Sequence, residues 1–216
     1  MRIVTLENSG QMYTSLAYLV LGDQSQLEDV NTLVDAGADP AVLASIEMAP
    51  TGVGKWAVEQ VVLTHSHSDH CALLPEIHAA YHPRVLAFSP SLAGVDRTVR
   101  DGETIQMGDR IFQVIHTPGH SSDSICLYNE DEGVLFAGDS PLVITSPDGS
   151  YEAGFQAALQ KLCALDVRRI YFGHGPPLTE RCNQRLIESE RLAASCAPSD
   201  MGRPEPKTSQ LPVAAK

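Results

Sequence analysis

The sequence predicts a layered α/β fold with mixed β-sheets, on three observations. Short apolar runs rich in β-branched residues alternate with longer segments of helical periodicity. Runs of strands are followed by a helix, then by more strands and another helix, which is the order of a layered arrangement. Hydrophobic residues make up 43% of the 216 residues and charged residues 19%, so a packed core is expected.

The amino-terminal half is predicted to form strands and two helices. Apolar runs indicate strands at 2–6, 13–21, 32–35, 60–63 and 85–88. Asp39-Pro40 opens a helical pattern that continues through about residue 48. Residues 70–82 have helical periodicity, with their apolar side chains on one face.

The carboxy-terminal half repeats this organisation. Turn residues at 101–103 and 108–109 enclose a short strand, and further strands are predicted at 111–115, 125–128, 134–137 and 169–172. Helices are predicted at 151–165 and 179–194. The composition shifts to Pro, Ser and Lys from Pro198 onward, so we predict one domain over residues 1–196 and a flexible tail over 197–216.

Composition and charge exclude several classes of protein. The formal net charge is −12, so the basic patch of a nucleic-acid-binding protein is not expected. The five cysteines are scattered without a Cys-x-x-Cys pair, which is typical of reduced thiols. Neither a signal peptide nor an apolar stretch long enough to span a membrane is recognised. We expect a cytoplasmic protein that acts on a small molecule, without nucleic-acid or membrane partners.

Four of the seven residues from Thr64 to His70 carry side chains that bind divalent metal ions. His65 and His67 lie two residues apart, so in an extended segment both imidazoles point the same way and can reach one ion. Asp69 and His70 follow where the chain turns into the helix, and there they can face a second ion.

Three more candidate ligands follow at the ends of later predicted strands. His120 comes after Pro118-Gly119, and Asp139 and His174 each come directly after a glycine. Glycine permits the sharp turn that aims such a side chain back at the sheet edge. Ligands at several strand ends are typical of α/β active sites, so the sequence predicts a two-metal site.

With these residues the chain resembles the metallo-β-lactamase fold superfamily, in its glyoxalase II-like branch. The resemblance covers about residues 1–195 and includes Asp35, which follows an early strand near the site. It implies a four-layered αβ/βα sandwich with two mixed β-sheets. It also implies a ligand set: His65, His67 and His120 for one metal, Asp69, His70 and His174 for the other, with Asp139 bridging them and Asp35 supporting the site from behind.

Departures from the family pattern narrow the range of activities and substrates expected within the family. Cys71-Ala72 replaces the Gly-Gly of many relatives, so Cys71 either lines the pocket or packs as a small thiol. Asp139 counts against a true β-lactamase, and so does the lack of a recognisable signal peptide. His67 counts against the diiron flavoproteins, which have Glu at this position. Glyoxalase II enzymes hold glutathione on a C-terminal helical domain. Only 42 residues of the 216 follow His174, so glutathione thioesters are not the expected substrate.

The resemblance implies a metal-dependent hydrolase. Two ions about 3.5–4 Å apart share a hydroxide that attacks the carbonyl of a small acyl substrate: a thioester, a lactone or another ester. Asp69 is expected to bind metal and to act in catalysis by shuttling a proton. Two zinc ions per chain are expected, with iron and manganese as alternatives. Loops at Met12-Tyr13, 45–56 and 140–151 are expected to select the substrate.

Three other functions stay open on the sequence. A mononuclear iron persulfide dioxygenase would hold its metal with His65, His120 and Asp139, the two-histidine, one-carboxylate set of oxygen chemistry. A metal-dependent phosphodiesterase and a non-catalytic effector of the same fold are the remaining alternatives. The identity of the substrate and the oligomeric state are not predicted.

Overall fold

The computed structural model describes residues 1–146, 149, 151 and 153–195, so the predicted tail at 197–216 lies outside the described residues. The strands are β1 Arg2–Thr5, β2 Tyr18–Leu21, β3 Thr32–Val34, β4 Gln60–Val62, β5 Arg84–Ala87, β6 Arg97–Thr98, β7 Thr104–Met107, β8 Arg110–His116, β9 Ile125–Asn129, β10 Val134–Gly138 and β11 Arg169–Phe172. The helices are α1 Ala41–Met48, α2 Ser68–Cys71, α3 Leu74–Tyr81, α4 Ala153–Cys163 and α5 Cys182–Ser195.

The first sheet has six strands in the order β1-β2-β3-β4-β5-β6. The pairs β1–β2 and β2–β3 are antiparallel, and the pairs from β3 to β6 are parallel. Strand β4 is buried along its length because apolar layers cover both faces of the sheet. Val34 pairs with Val62, so the carboxyl ends of β3 and β4 meet at one edge.

The second sheet has five strands in the order β11-β10-β9-β8-β7. Strands β8 and β10 are both antiparallel to β9, and β11 is parallel to β10. The carboxyl ends of β8, β10 and β11 therefore share one edge. Each is followed by a predicted metal ligand, so the topology brings these residues to the same side of the molecule.

Apolar side chains form three layers between four layers of secondary structure. One cluster joins the first sheet to α1 and α3, and another joins the second sheet to α4 and α5. The third cluster lies between the sheets, where Val20 and Val62 of the first meet Phe112 and Phe136 of the second. This is the four-layered αβ/βα sandwich with two mixed sheets that the sequence predicted.

The predicted strand at 13–21 begins only at Tyr18. Residues 13–17 are apolar enough for a strand, but their backbone bonds lead elsewhere. Ser15 N–H donates to the carbonyl of Asp69 at 3.0 Å, and Leu16 N–H donates to that of Gly173 at 2.7 Å. This segment is therefore attached to the loops that carry predicted ligands instead of to a neighbouring strand.

The predicted helix at 70–82 is two helices, α2 and α3. Pro75 lies in the first turn of α3, where its missing N–H leaves no bond unmade, whereas deeper in a continuous helix it would break one. The predicted helix at 179–194 begins only at Cys182, because Arg181 has a positive φ of 55° that no right-handed helix accommodates. The short strand β6 was not predicted.

No helix among the described residues has the length and apolar character needed to cross a membrane.

Candidate metal centre

The seven predicted ligands lie together at the edge shared by the two sheets, in two neighbouring groups. The first group consists of His65, His67 and His120, and the second consists of Asp69, His70, Asp139 and His174. Within each group the ligand atoms all lie within 4.8 Å of one another. Each group therefore has the composition and the spacing to hold one metal ion.

Helix α2 carries two of these side chains and is held on both sides by backbone hydrogen bonds. The carbonyl of Asp69 accepts from Ser15 N–H, and the carbonyl of His70 accepts from the N–H groups of Ala36 and Gly37. A helix this short is not stable alone, because helix nucleation is unfavourable. The neighbouring segments therefore determine where Asp69 and His70 point.

The first group is open to solvent on one side. His65 is only 2% exposed, whereas His67 and His120 are exposed. His120 Nε2 lies 3.0 Å from His67 Nδ1, and His65 Nδ1 lies 3.2 Å from the hydroxyl of Thr64. The contact with Thr64 leaves Nε2 of His65 as the atom that faces the group.

Asp139 lies between the two groups. Its Oδ2 is 3.5 Å from Nε2 of His120 and 3.5 Å from Nε2 of His174, and its Oδ1 is 3.3 Å from Nε2 of His70. Asp69 Oδ2 approaches Nε2 of His174 at 3.0 Å. The carboxylate of Asp139 can therefore contact ions held by either group.

Asp35 supports the second group from inside the protein. Its carboxylate is buried and accepts hydrogen bonds of 2.8 Å from the Thr64 N–H and from the Thr64 hydroxyl. The same carboxylate lies 2.8 Å from Nδ1 of His70, so the proton on that nitrogen faces Asp35 and Nε2 faces the centre. A carboxylate behind a histidine orients the ring and raises its basicity.

The charges around the two groups differ. Burial lowers the pKa of His65 to about 4, and burial also lowers the pKa of His120, so both rings are neutral at pH 7. Burial disfavours the charged form of His70 too, but the carboxylates of Asp35 and Asp139 outweigh it and raise that pKa to about 10. Without a metal, the second group therefore holds a proton between its carboxylates.

The arrangement of the polar atoms at the centre suits a bound metal ion better than it suits hydrogen bonds among these atoms. Nε2 of His65, Nε2 of His70 and Oδ1 of Asp139 are buried, and none makes a well-formed hydrogen bond in the described part of the chain, although Nε2 of His70 and Oδ1 of Asp139 lie 3.3 Å apart. Such atoms are costly to bury unless they are paired with a donor, an acceptor or a metal. Imidazole nitrogen together with carboxylate oxygen is a donor set that zinc favours.

Two glycines allow these side chains to approach closely. A Cβ at Gly173 would lie 2.2 Å from Oδ1 of Asp139, and a Cβ at Gly138 would lie 2.4 Å from the Thr64 hydroxyl. Gly138 also has a positive φ of 52°, which glycine adopts at no steric cost. The predicted pattern of a glycine directly before each of these two ligands therefore has a packing reason.

Sequence reasoning missed one contact and left another residue open. Thr64, which hydrogen-bonds Asp35, was not singled out, although it precedes the motif directly. Cys71 is half-buried and lines an apolar cleft of about 450 Å³ with Leu74 and Leu92. Burial raises the pKa of the Cys71 thiol, so it stays protonated at neutral pH and is a poor nucleophile.

A second apolar cleft, of about 470 Å³, opens beside His174. Pro141 and Val143 line it on one side, and Pro176 and Pro177 line it on the other. It lies within the third loop region predicted to select the substrate, and it adjoins the second group directly.

Comparison with known proteins identifies the family. The sequence model of the Metallo-beta-lactamase superfamily matches residues 13–174, which include all seven predicted ligands. The chain belongs to the metallo-beta-lactamase superfamily. This confirms the resemblance on which the ligand set was predicted, and the individual ligand roles stay predictions.

Curated relatives of this superfamily member include hydroxyacylglutathione hydrolases. The Rhizobium etli protein of that name is 31% identical over 187 residues, covering 78% of this chain and 72% of the relative. The matching protein of Nitrobacter winogradskyi is 33% identical over 125 residues, but the match spans only 49% of its length. Relatives with this name confirm two predictions: that the protein is a hydrolase, and that it resembles the glyoxalase II-like branch.

Solved structures in the superfamily share the fold. A metallo-beta-lactamase family protein from Thermus thermophilus superposes with a TM-score of 0.63 at 24% identity, covering 88% of this chain and 78% of its own. The likeness at this identity concerns the architecture alone, and it agrees with the two mixed sheets described above.

Proposed function

We propose that this member of the superfamily is a metal-dependent hydrolase of a small acyl substrate, with a thioester as the first candidate and a lactone or another ester as alternatives. The observation that carries the proposal is the position of Asp139, whose Oδ2 lies 3.5 Å from a histidine of each group. A carboxylate shared in this way is suited to a pair of ions acting on one substrate.

The first group would hold one ion and the second group the other, with Asp139 between them. When bound, such ions supply an activated water near neutral pH and a Lewis acid for the carbonyl oxygen. Two zinc ions per chain are the proposed content, because the donor set is imidazole and carboxylate. The thiol of Cys71 is not needed as a nucleophile.

The chain's own residues then orient the reactants and move the proton. In the net reaction, water adds its oxygen to the acyl carbon, the carbon–sulfur bond breaks, and the proton released by water ends on the sulfur, giving an acid and a thiol. Asp69 is the proposed carrier of that proton, because its partly exposed carboxylate lies at the edge of the second group. Its Oδ2 contacts Nε2 of His174 at 3.0 Å.

The choice of a thioester is supported by the relatives and by the clefts. The Rhizobium etli relative is named a hydroxyacylglutathione hydrolase. A relative from Cryptosporiopsis, 28% identical over 123 residues, is named an atrochrysone carboxyl ACP thioesterase. The cleft beside His174 is lined mainly by apolar side chains, among them Val143, Phe172 and Leu178, which suits an apolar part of the substrate better than a charged one.

The first test is the metal content of protein purified without added metal or chelator, followed by hydrolysis of a panel of thioesters and lactones. About two zinc per chain and turnover of a thioester are expected. His120→Ala is expected to lower the zinc content, whereas His78→Ala, on the exterior of α3, serves as the matched control and is expected to retain it.

The test also separates the open alternatives. One iron per chain with little zinc, together with oxygen uptake on a persulfide, would replace the hydrolase with the dioxygenase predicted as an alternative from His65, His120 and Asp139. Cleavage of a phosphodiester without thioester turnover would indicate the nuclease-type activity. Bound zinc without any turnover would indicate an effector.

A further inference from the structure

Tyr13 contacts the second group although it is far from any motif. Its ring stacks on the imidazole of His174, with centroids 4.9 Å apart and an interplanar angle of 21°. Its hydroxyl lies 3.2 Å from Nε2 of His174. The side chain is 75% exposed, so the core does not hold it, and its described ring contact is with a predicted metal ligand.

The backbone beside Tyr13 is attached to both loops of the second group. Ser15 N–H donates to Asp69, and Leu16 N–H donates to Gly173. The hydroxyl of Tyr18 donates to the carbonyl of Phe172 at 2.6 Å, just before the loop of His174. The phenol of Tyr13 is therefore carried by a segment whose position relative to Asp69 and His174 is determined by hydrogen bonds.

Nε2 of His174 contacts both the Tyr13 hydroxyl, at 3.2 Å, and Oδ2 of Asp69, at 3.0 Å. A metal ion bound at Nε2 would take the one lone pair of that nitrogen and leave it without a proton. When Nε2 of His174 is a ligand, as the proposed function requires, that nitrogen can neither donate to the Tyr13 hydroxyl nor accept from it. The hydroxyl donor of Tyr13 then lies on the solvent side of the second group, within a few ångströms of the ligand atom. A substrate oxygen that binds there can accept a hydrogen bond from the Tyr13 hydroxyl.

We propose that Tyr13 is a catalytic residue whose hydroxyl donates a hydrogen bond to the oxygen of the substrate's reacting carbonyl. Negative charge develops on that oxygen as water adds to the carbon, so the bond is stronger in the transition state than in the bound substrate. Tyr13 keeps its proton throughout and forms no covalent bond. The inference rests on the proposed hydrolytic function.

The test compares Tyr13→Phe with the wild-type zinc-loaded protein, using as substrate the acyl thioester of the panel that the wild type hydrolyses fastest. Phenylalanine preserves the stacking on His174 and removes only the donor. We expect kcat to fall about 100-fold, the size of effect typical of losing one such donor, with little change in KM and unchanged zinc content. Tyr81→Phe, on α3 and away from the centre, is the matched control and is expected to retain wild-type kcat.

A binding measurement tests the inference independently of turnover. The tetrahedral phosphonate analogue of the acyl group mimics the charged transition state, and the thioether analogue lacks the carbonyl oxygen and so measures binding by the rest of the substrate. Calorimetry should show that Tyr13→Phe weakens phosphonate binding at least about 10-fold and leaves thioether binding unchanged. Equal phosphonate affinity in the two proteins would overturn the role of Tyr13, whether or not the wild type hydrolyses the thioester.

The two measurements keep the proposals distinguishable. A wild-type protein that hydrolyses thioesters only as fast as Tyr13→Phe would leave the hydrolase intact and remove Tyr13 from its mechanism. A wild-type protein that hydrolyses no thioester, lactone or other ester would refute the proposed function, and the phosphonate comparison would still decide whether Tyr13 recognises an anionic oxygen at the centre.

Discussion

At the scale of single residues, Asp35 connects the buried interior to the metal centre. It has a positive φ of 57°, a conformation that Asp and Asn adopt more readily than other residues with a Cβ. That backbone turn directs the carboxylate toward both Thr64 and His70. A residue that follows β3 therefore determines which nitrogen of His70 faces the centre.

Asp35→Asn should weaken the second metal site about 10–100-fold, the usual effect of losing a carboxylate behind a metal-bound histidine. Asparagine tolerates the same backbone conformation, but its NH₂ would face a donor from Thr64 or His70. Zinc affinity measured by competition with a chromophoric chelator checks this. Asp39→Asn, which is equally buried but bonds to Ser9, should retain wild-type affinity. Equal affinities for both variants would contradict the role given to Asp35.

The elevated pKa of His70 makes a pH prediction for the metal-free protein. The folded-state pKa of about 10 lies above the ordinary value of 6.5, so the protonated ring stabilises the fold. That contribution is complete below about pH 6.5 and disappears as the pH rises through about 10. Thermal unfolding in EDTA should show this decline, and His70→Gln should show less of it. A decline of equal size in both proteins would refute the prediction.

At the scale of secondary-structure elements, the parallel pairing of β10 and β11 brings two ligand-bearing loops together. Gly138 pairs with Phe172, and Gly173 N–H donates to the carbonyl of Gly138 at 2.8 Å. The backbones are so close that Gly173 directly faces the side chains of Asp139 and His70, and Gly138 faces that of Thr64. Strand pairing thus places Asp139 next to His174, with Oδ2 and Nε2 3.5 Å apart, although 35 positions separate the two along the chain.

Gly173→Ala should disturb the centre without straining the backbone. Its Cβ would lie 2.2 Å from Asp139 and 2.6 Å from His70, so both ligands must move. We expect at least about a 10-fold loss of zinc affinity, measured by competition titration. Gly175→Ala is the matched control, because a Cβ there meets open space and costs only about 1–2 kcal/mol for its positive φ. A Gly173→Ala protein with wild-type affinity would show that the ligands relocate freely.

The element scale also shows where sequence patterns predict well and where they do not. Most strands lie within a residue or two of the predicted segments, because buried strands require continuous apolar runs. The exceptions have local causes in Pro75, which separates α2 from α3, and in Arg181, whose positive φ delays α5. The segment 13–17 was wrongly predicted as strand because the N–H groups of Ser15 and Leu16 donate to carbonyls 54 and 157 residues away, at Asp69 and Gly173.

At the scale of the whole molecule, the metal centre joins the two halves of the sandwich. Strand β4 of the first sheet leads to His65, His67, Asp69 and His70, whereas strands of the second sheet lead to His120, Asp139 and His174. Apolar packing between the sheets, around Phe112 and Phe136, keeps these two edges together. Ions held by residues from both sheets would add a second connection between them.

Removing the metals should therefore lower global stability. A ligand that binds only the folded state stabilises it by about 2.7 kcal/mol when present at about 100 times its Kd. We expect the Tm to fall by several degrees in EDTA and to recover on addition of zinc, as measured by circular dichroism. His78→Ala should behave like the wild type, and His120→Ala should show a smaller zinc-dependent shift. An unchanged Tm in EDTA would contradict the connecting role.

The fold class and the set of candidate ligands could be predicted from the sequence, and the motif residues carried the resemblance to the family. Apolar periodicity defines strands and helices locally, and the motif from Thr64 to His70 is continuous in the chain. These features depend on neighbouring residues, so they can be recognised without coordinates.

How those residues meet could be seen only in the folded molecule. It places Asp139 between two groups of histidines, Asp35 behind His70, and Tyr13 against His174 across 161 positions of the chain. The sequence predicted Tyr13 only as part of a substrate loop, since no spacing rule relates it to His174. Contacts of this kind depend on sheet order and on the direction of each strand end, which are properties of the packed molecule.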